Sequence, residues 1–83
     1  MKQLLHFTAT WCQPCKQMEV PIAMLVSSNL DINYNKIDVS DNFDEAVEYG
    51  VRGVPTFIAI KDGVELARHT GVATNEKLLS LFD

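Results

Sequence analysis

Cys12 and Cys15 are the only cysteines of this 83-residue chain, and they stand two residues apart in Trp11-Cys12-Gln13-Pro14-Cys15. Two thiols at that spacing read as a redox pair: one thiolate attacks a disulfide and its neighbour resolves the mixed disulfide. Cys12 is the expected nucleophile. It falls at or next to a helix N-terminus, where free N–H groups and the helix dipole favour a thiolate. Thiolates in such settings have pKa values of ~3.5–7.5. Cys15, one turn further in, is expected to be the more buried thiol and to attack second. Pro14 fixes the backbone between the thiols and removes a donor. Gln13 is polar and exposed, either a solvated loop residue or one that tunes the pair. The rival reading is a metal site, but two cysteines leave a four-ligand zinc or iron–sulfur site half filled. No metal and no bound cofactor are expected, only a redox-active Cys12–Cys15 disulfide.

The elements that must position this pair are legible as patterns. Residues 3–8 form an apolar run around His6 and read as a buried strand. Residues 13–29 read as one helix, with Met18, Ile22 and Leu25 on a core-facing stripe. Pro14 fits its first turn, and Pro21 should kink its interior. Asn33 to Val39 reads as a second strand. Asn42 and Glu45 have capping-box spacing for a short helix carrying Phe43, Ala46 and Val47 and ending at Gly50. Val54 to Ile60 is a third strand, Lys61-Asp62-Gly63 a hairpin turn, and Val64 to His69 a fourth strand. Thr74 caps a last helix with Leu78, Leu81 and Phe82 on one face. The order is β-α-β-α-β-β-α. A parallel first pair and an antiparallel hairpin give a four-stranded mixed sheet with helices on both faces, an α/β fold.

Composition bounds the rest. Eighty-three residues make a single domain over 1–83, and 47% hydrophobic content supplies a core. A Cys-x-x-Cys closes too small a loop to be much of a staple, which favours a working disulfide over a structural one. The net charge is −4, with no basic cluster, which argues against nucleic acid and anionic membranes as partners. The N-terminal residues are not followed by an apolar segment of signal-peptide or membrane-span length. A cytoplasmic monomer is the expectation, with the thiols kept largely reduced.

Three blocks in order and spacing resemble the thioredoxin family: Phe7 to Lys16 (Phe-Thr-Ala-Thr-Trp-Cys-Gln-Pro-Cys-Lys), Gly50-Val51-Arg52-Gly53-Val54-Pro55-Thr56, and the Lys-Asp-Gly hairpin followed by Thr70-Gly71. The likeness covers nearly the whole chain and implies a minimal, glutaredoxin-sized thioredoxin-like fold lacking the family's N-terminal β-α unit. It implies a thiol–disulfide oxidoreductase that reduces client protein disulfides. It also implies recharging by a flavin- or ferredoxin-linked thioredoxin reductase, with ribonucleotide reductase among the conceivable acceptors. By the same resemblance Pro55 is a cis proline facing the cysteines. The backbone of Val54 is then free to pair with an extended client, and Trp11 and Gly71 flank the groove. Proline before the second cysteine resembles the reducing members.

The chain also departs from the family. Gln13 replaces the usual glycine, Thr8 the second tryptophan, and His6 a buried acid behind the second thiol. Pro21 lies one residue further from Cys15 than the family's helix proline. His6 is thus a candidate general acid or base for Cys15, or simply a core histidine bonded to its surroundings. Two rival functions frame the reading. One is a glutaredoxin-like, glutathione-coupled reductant, favoured by length but not by Gly71-Val72-Ala73 or the Trp-Cys-x-Pro-Cys motif. The other is a non-catalytic adaptor that clamps a partner through the Pro55 groove.

Overall fold

The computed structural model describes residues 1–83. The elements run β1 (Lys2–Thr8), α1 (Gln13–Gln17), α2 (Glu19–Ser28), β2 (Ile32–Asp38), α3 (Phe43–Glu48), β3 (Thr56–Lys61), β4 (Val64–Thr70) and α4 (Asn75–Ser80). The sheet order is β2-β1-β3-β4. β1 pairs parallel with β2 and antiparallel with β3, and β4 closes the other edge antiparallel to β3. The α/β architecture with a mixed four-stranded sheet is the one the sequence pattern implies.

β1 lies inside the sheet and is covered on both faces. That explains its unbroken buried run from Leu4 to Thr8, where a half-exposed strand would alternate. Successive side chains still divide between the faces. Leu4 joins Met18, Ile22 and Leu25 of the long helical segment, Leu78 of α4 and its C-cap Leu81 in one cluster of nine buried residues. Leu5 and Phe7 join Ile37, Ile58, Ile60 and Ala46 of α3 in a second cluster of six. Helices therefore cover both faces, but unequally.

Three local expectations change. The single helix over 13–29 is two helices that meet at Met18. Pro21 has no N–H to give the carbonyl of Gln17, and its ring crowds that carbonyl, so α1 stops at Gln17. The break thus falls one turn before the proline itself. The third strand enters the ladder at Thr56, two residues later than the pattern suggests and directly after the cis Val54–Pro55 peptide bond. Asn42 precedes α3 without capping it by its side chain; its amide donates back to the Asp38 carbonyl instead. At the other end of α3, Gly50 takes a left-handed φ of 68°, and the N–H of Val51 reaches the Ala46 carbonyl at 2.9 Å. That closes the helix with a Schellman turn. Thr74 caps α4 as its type suggests, accepting from the Lys77 N–H at 3.1 Å. Asp62 and Gly63 both adopt positive φ in the hairpin turn, the pattern that Asp-Gly favours.

Candidate active site

The cysteines sit where the central strand hands the chain to α1. Cys12 is the N-cap of that helix, and Gln13 and Pro14 form its first turn, where the missing proline N–H leaves no carbonyl unpaired. Cys12 and Cys15 are joined by a disulfide, with Cα atoms 5.3 Å apart. The Cys12 Sγ accepts from the Cys15 N–H at 3.2 Å, so the sulfur itself satisfies an orphan donor of the helix start. The same Sγ lies 3.7 Å from the Val54 carbonyl oxygen. The second cysteine was expected to be the more buried one; in the oxidised form the two are alike, at 4% and 3% exposure. Gln13 projects into solvent.

Val54 packs against this pair from the loop before β3, and Pro55 follows it in the chain. Gly71 lies beside them: its N–H donates to the Pro55 carbonyl at 2.8 Å, at a φ of 107° that favours glycine. A Cβ at Gly71 would meet nothing within 4 Å, so the position is glycine for its backbone angle and opens onto free space. Thr56 holds the start of β3 by donating its hydroxyl to the Gly53 carbonyl.

Trp11 is 70% exposed, which sets aside a core role. Its ring borders a cleft of about 220 Å³ with Val39, Phe43, Val51, Arg52 and Val54. Phe43 and Arg52 did not figure among the sequence candidates. The i,i+4 spacing of Phe43 and Val47 is the sequence signal; the structure adds that only Ala46 of this helix is buried. A second, more polar recess of about 360 Å³ reaches Cys15 and is lined by Lys16, Glu19, Lys36 and Asp38.

His6 is fully enclosed beneath α2. Its Nδ1 is 2.7 Å from the Tyr34 hydroxyl and its ring stacks on Phe57 with centroids 4.5 Å apart. Burial first, and the nearby Lys36 charge second, push the imidazole down to about 4. Burial and then the Glu19 carboxylate push the Tyr34 hydroxyl up to about 12. The tyrosine therefore keeps its proton, and its hydroxyl pairs with a neutral imidazole whose other nitrogen is Nε2. That atom is buried and has no partner. The imidazolium that could have stabilised a nearby thiolate is not the form present at neutral pH. Tyr34 lies 28 residues away, and only the β1–β2 register brings it to His6. No cluster of three or more His, Cys, Asp or Glu side chains could hold a metal ion, and no helix is long and apolar enough to cross a membrane.

Comparison with known proteins places this geometry. The thioredoxin family model matches residues 1–83. The chain belongs to the thioredoxin family. It is 41% identical to thioredoxin-2 of Pyricularia oryzae over 79 residues, which are 95% of this chain and 46% of that protein. It is 34% identical to thioredoxin H2 of Arabidopsis thaliana over 73 residues, 88% of this chain and 55% of that one. The chain thus spans about half the length of these curated relatives. Among solved structures, thioredoxin NaTrxh from Nicotiana alata superposes with a TM-score of 0.90 at 38% identity, covering 95% of this chain and 68% of its own. As a thioredoxin-family domain, the chain carries its Cys-x-x-Cys disulfide at the strand-to-helix junction the sequence motif implies.

Proposed function

We propose that this domain is a dithiol protein-disulfide reductase. The observation that carries the reading is the Cys12–Cys15 disulfide at the N-cap of α1, bordered by the exposed Trp11 and the Val54 carbonyl. In the reduced chain, the Cys12 thiolate attacks one sulfur of a client disulfide and expels the other as a thiolate. The Cys15 thiol loses its proton and attacks the Cys12 sulfur of the mixed disulfide. The second client sulfur leaves, and the Cys12–Cys15 disulfide closes. Two electrons pass to the client and two thiols become one disulfide. The Cys15 N–H that now donates to the Cys12 Sγ, together with the helix dipole, stabilises the thiolate in the reduced chain.

Val54, Pro55 and Gly71 form the edge against which an extended client strand can lie, with main-chain groups supplying affinity. Gln13 and Pro14 shape the loop between the sulfurs. His6 serves first as a neutral core group held by Tyr34; a general-base role through Nε2 would need the tautomer that carries its hydrogen on Nδ1 and donates it to the Tyr34 hydroxyl. A pH–rate profile left unchanged by His6→Gln settles the structural role. Partners under this reading are disulfide-bearing proteins and a flavin- or ferredoxin-linked reductase. The compartment that suits a dithiol kept reduced is the cytoplasm, and no bound cofactor takes part.

The test is turnover of a protein disulfide by the chain kept reduced with dithiothreitol. Cys12→Ser abolishes turnover, whereas Cys15→Ser stalls as a covalent client adduct visible on a non-reducing gel. A chain that binds clients but turns over none would be the adaptor instead. The reduction potential, read through Trp11 fluorescence in thiol buffers, separates the glutathione-coupled alternative. About −270 mV or below fits a thioredoxin-type reductant, and a value near or above about −200 mV fits glutathione coupling.

A further inference from the structure

The apolar surface beside the disulfide does not stop at the cleft. It continues along α3, where Phe43 is 68% and Val47 59% exposed, at i and i+4 and hence on one line. Phe43 lines the Trp11 cleft together with Val54, whose carbonyl lies 3.7 Å from the Cys12 Sγ, so this stripe begins beside the Cys12–Cys15 site. Asp44 and Glu48, also exposed and also at i and i+4, form a second stripe immediately beside it. Asp41 and Glu45 border the same surface. The segment 41–48 carries these four acids and no base, as many charges as the whole chain's net −4. None of the four takes part in an ion pair; the three in the molecule are Met1–Asp62, Lys2–Asp31 and Arg68–Glu65. Four unpaired carboxylates on one turn-and-helix repel each other and await cations from outside. An exposed apolar stripe next to them awaits an apolar side chain.

We propose that α3 and the Trp11 cleft form a docking surface for disulfide proteins whose cysteine is flanked by an apolar side chain and by lysine or arginine. The inference rests on the reductase reading for its use, and the geometry gives it a polarity. The client's apolar residue fills the cleft between Trp11 and Phe43. Its basic residues lie over Asp44 and Glu48. Charge placed there raises the encounter rate and selects among clients more than it adds raw affinity. Clients with acidic flanks meet like charge and are disfavoured.

The test uses two peptides that differ only in their flanks. Each carries the same leucine beside a serine in place of the cysteine, so that no chemistry occurs; one has lysine flanks and the other glutamate. Binding to the intact chain is followed by Trp11 fluorescence. At low salt the lysine peptide is expected to bind roughly tenfold more tightly, the sum of a few exposed ion pairs. At about 0.5 M salt that ratio falls towards one, because exposed charges are screened. The double change Asp44→Lys, Glu48→Lys inverts the ratio, and Phe43→Ala weakens both peptides together. Equal binding at low salt, or a preference that persists through high salt and charge reversal, overturns the proposal. Salt dependence needs no variant, so a misfolded mutant cannot hide the answer. Turnover of hydroxyethyl disulfide, small and uncharged, reports separately on the reductase reading. If that fails while the peptide preference holds, the chemistry is wrong and the docking surface stands.

Discussion

The two faces of the sheet are built to different standards. On one, α2 and α4 bury Leu4, Met18, Ile22, Leu25 and Phe57 with four further residues, and His6 is sealed among them. On the other, α3 contributes one buried side chain, Ala46, and leaves Phe43 and Val47 in water. The disulfide lies nearer the second of these, with Cys12 and Cys15 packing with Ala9 in a small cluster that shares Val39 and Val54 with the α3 face. The thick face supplies the apolar burial that holds a small domain together. The thin face has surface left over, and that surface borders the reactive sulfurs. Stability and recognition are thus assigned to opposite sides of one four-stranded sheet.

Breaking the thick face should therefore cost stability, whatever it does to activity. Phe57→Ala removes a fully buried ring and is expected to lose about 3–5 kcal/mol in urea unfolding. A loss under about 1 kcal/mol would mean that this face is not the stabilising one. Acid should act on the same face. The folded imidazole of His6 holds off its proton until about pH 4, while the unfolded one takes it near 6.5. The contribution is intact above 6.5 and is lost as pH falls through about 4, by about 3 kcal/mol in all. His6→Gln keeps a polar neutral group and should flatten that part of the stability–pH curve. An unchanged slope would show that another group titrates there. Tyr34→Phe leaves the buried Nδ1 without its partner and should cost about 1–3 kcal/mol. Phe43→Ala sits at the far end of the scale. Its stability should stay within about 0.5 kcal/mol of the parent, because the ring is already in water, while client turnover falls. A large stability loss there would erase the contrast between the faces.

Sequence pattern reached the fold through features that are local. The Asp-Gly turn, the Thr74 cap and the Gly50 stop each need only a few adjacent residues, and each stands where its chemistry places it. The Cys-x-x-Cys pair and the Gly-Val-Pro-Thr block were equally visible. What stayed hidden depends on contacts that no short window contains. The break at Met18 follows from Pro21 acting one turn back on Gln17, so the signal and its effect are separated along the helix. Asn42 had the right type for a cap, but the Asp38 carbonyl competes for its amide. His6 posed the sharpest question, and its answer is a tyrosine on the neighbouring strand that only the parallel register selects. The near-equal burial of the two cysteines likewise involves Val54, whose carbonyl lies against the Cys12 Sγ from 42 residues away.

The sheet order has a consequence in time. Among these strands β1 comes first along the chain, yet it lies inside the sheet between β2 and β3. During synthesis its β2 partner follows within about thirty residues, but the other flank waits for β3 more than fifty residues downstream. Until then Leu4 to Thr8 presents a bare, apolar row of backbone donors and acceptors, the kind of template on which neighbouring nascent chains can add. Of these four strands, the one that leads to the Cys12–Cys15 pair is made first and waits longest for its full shelter.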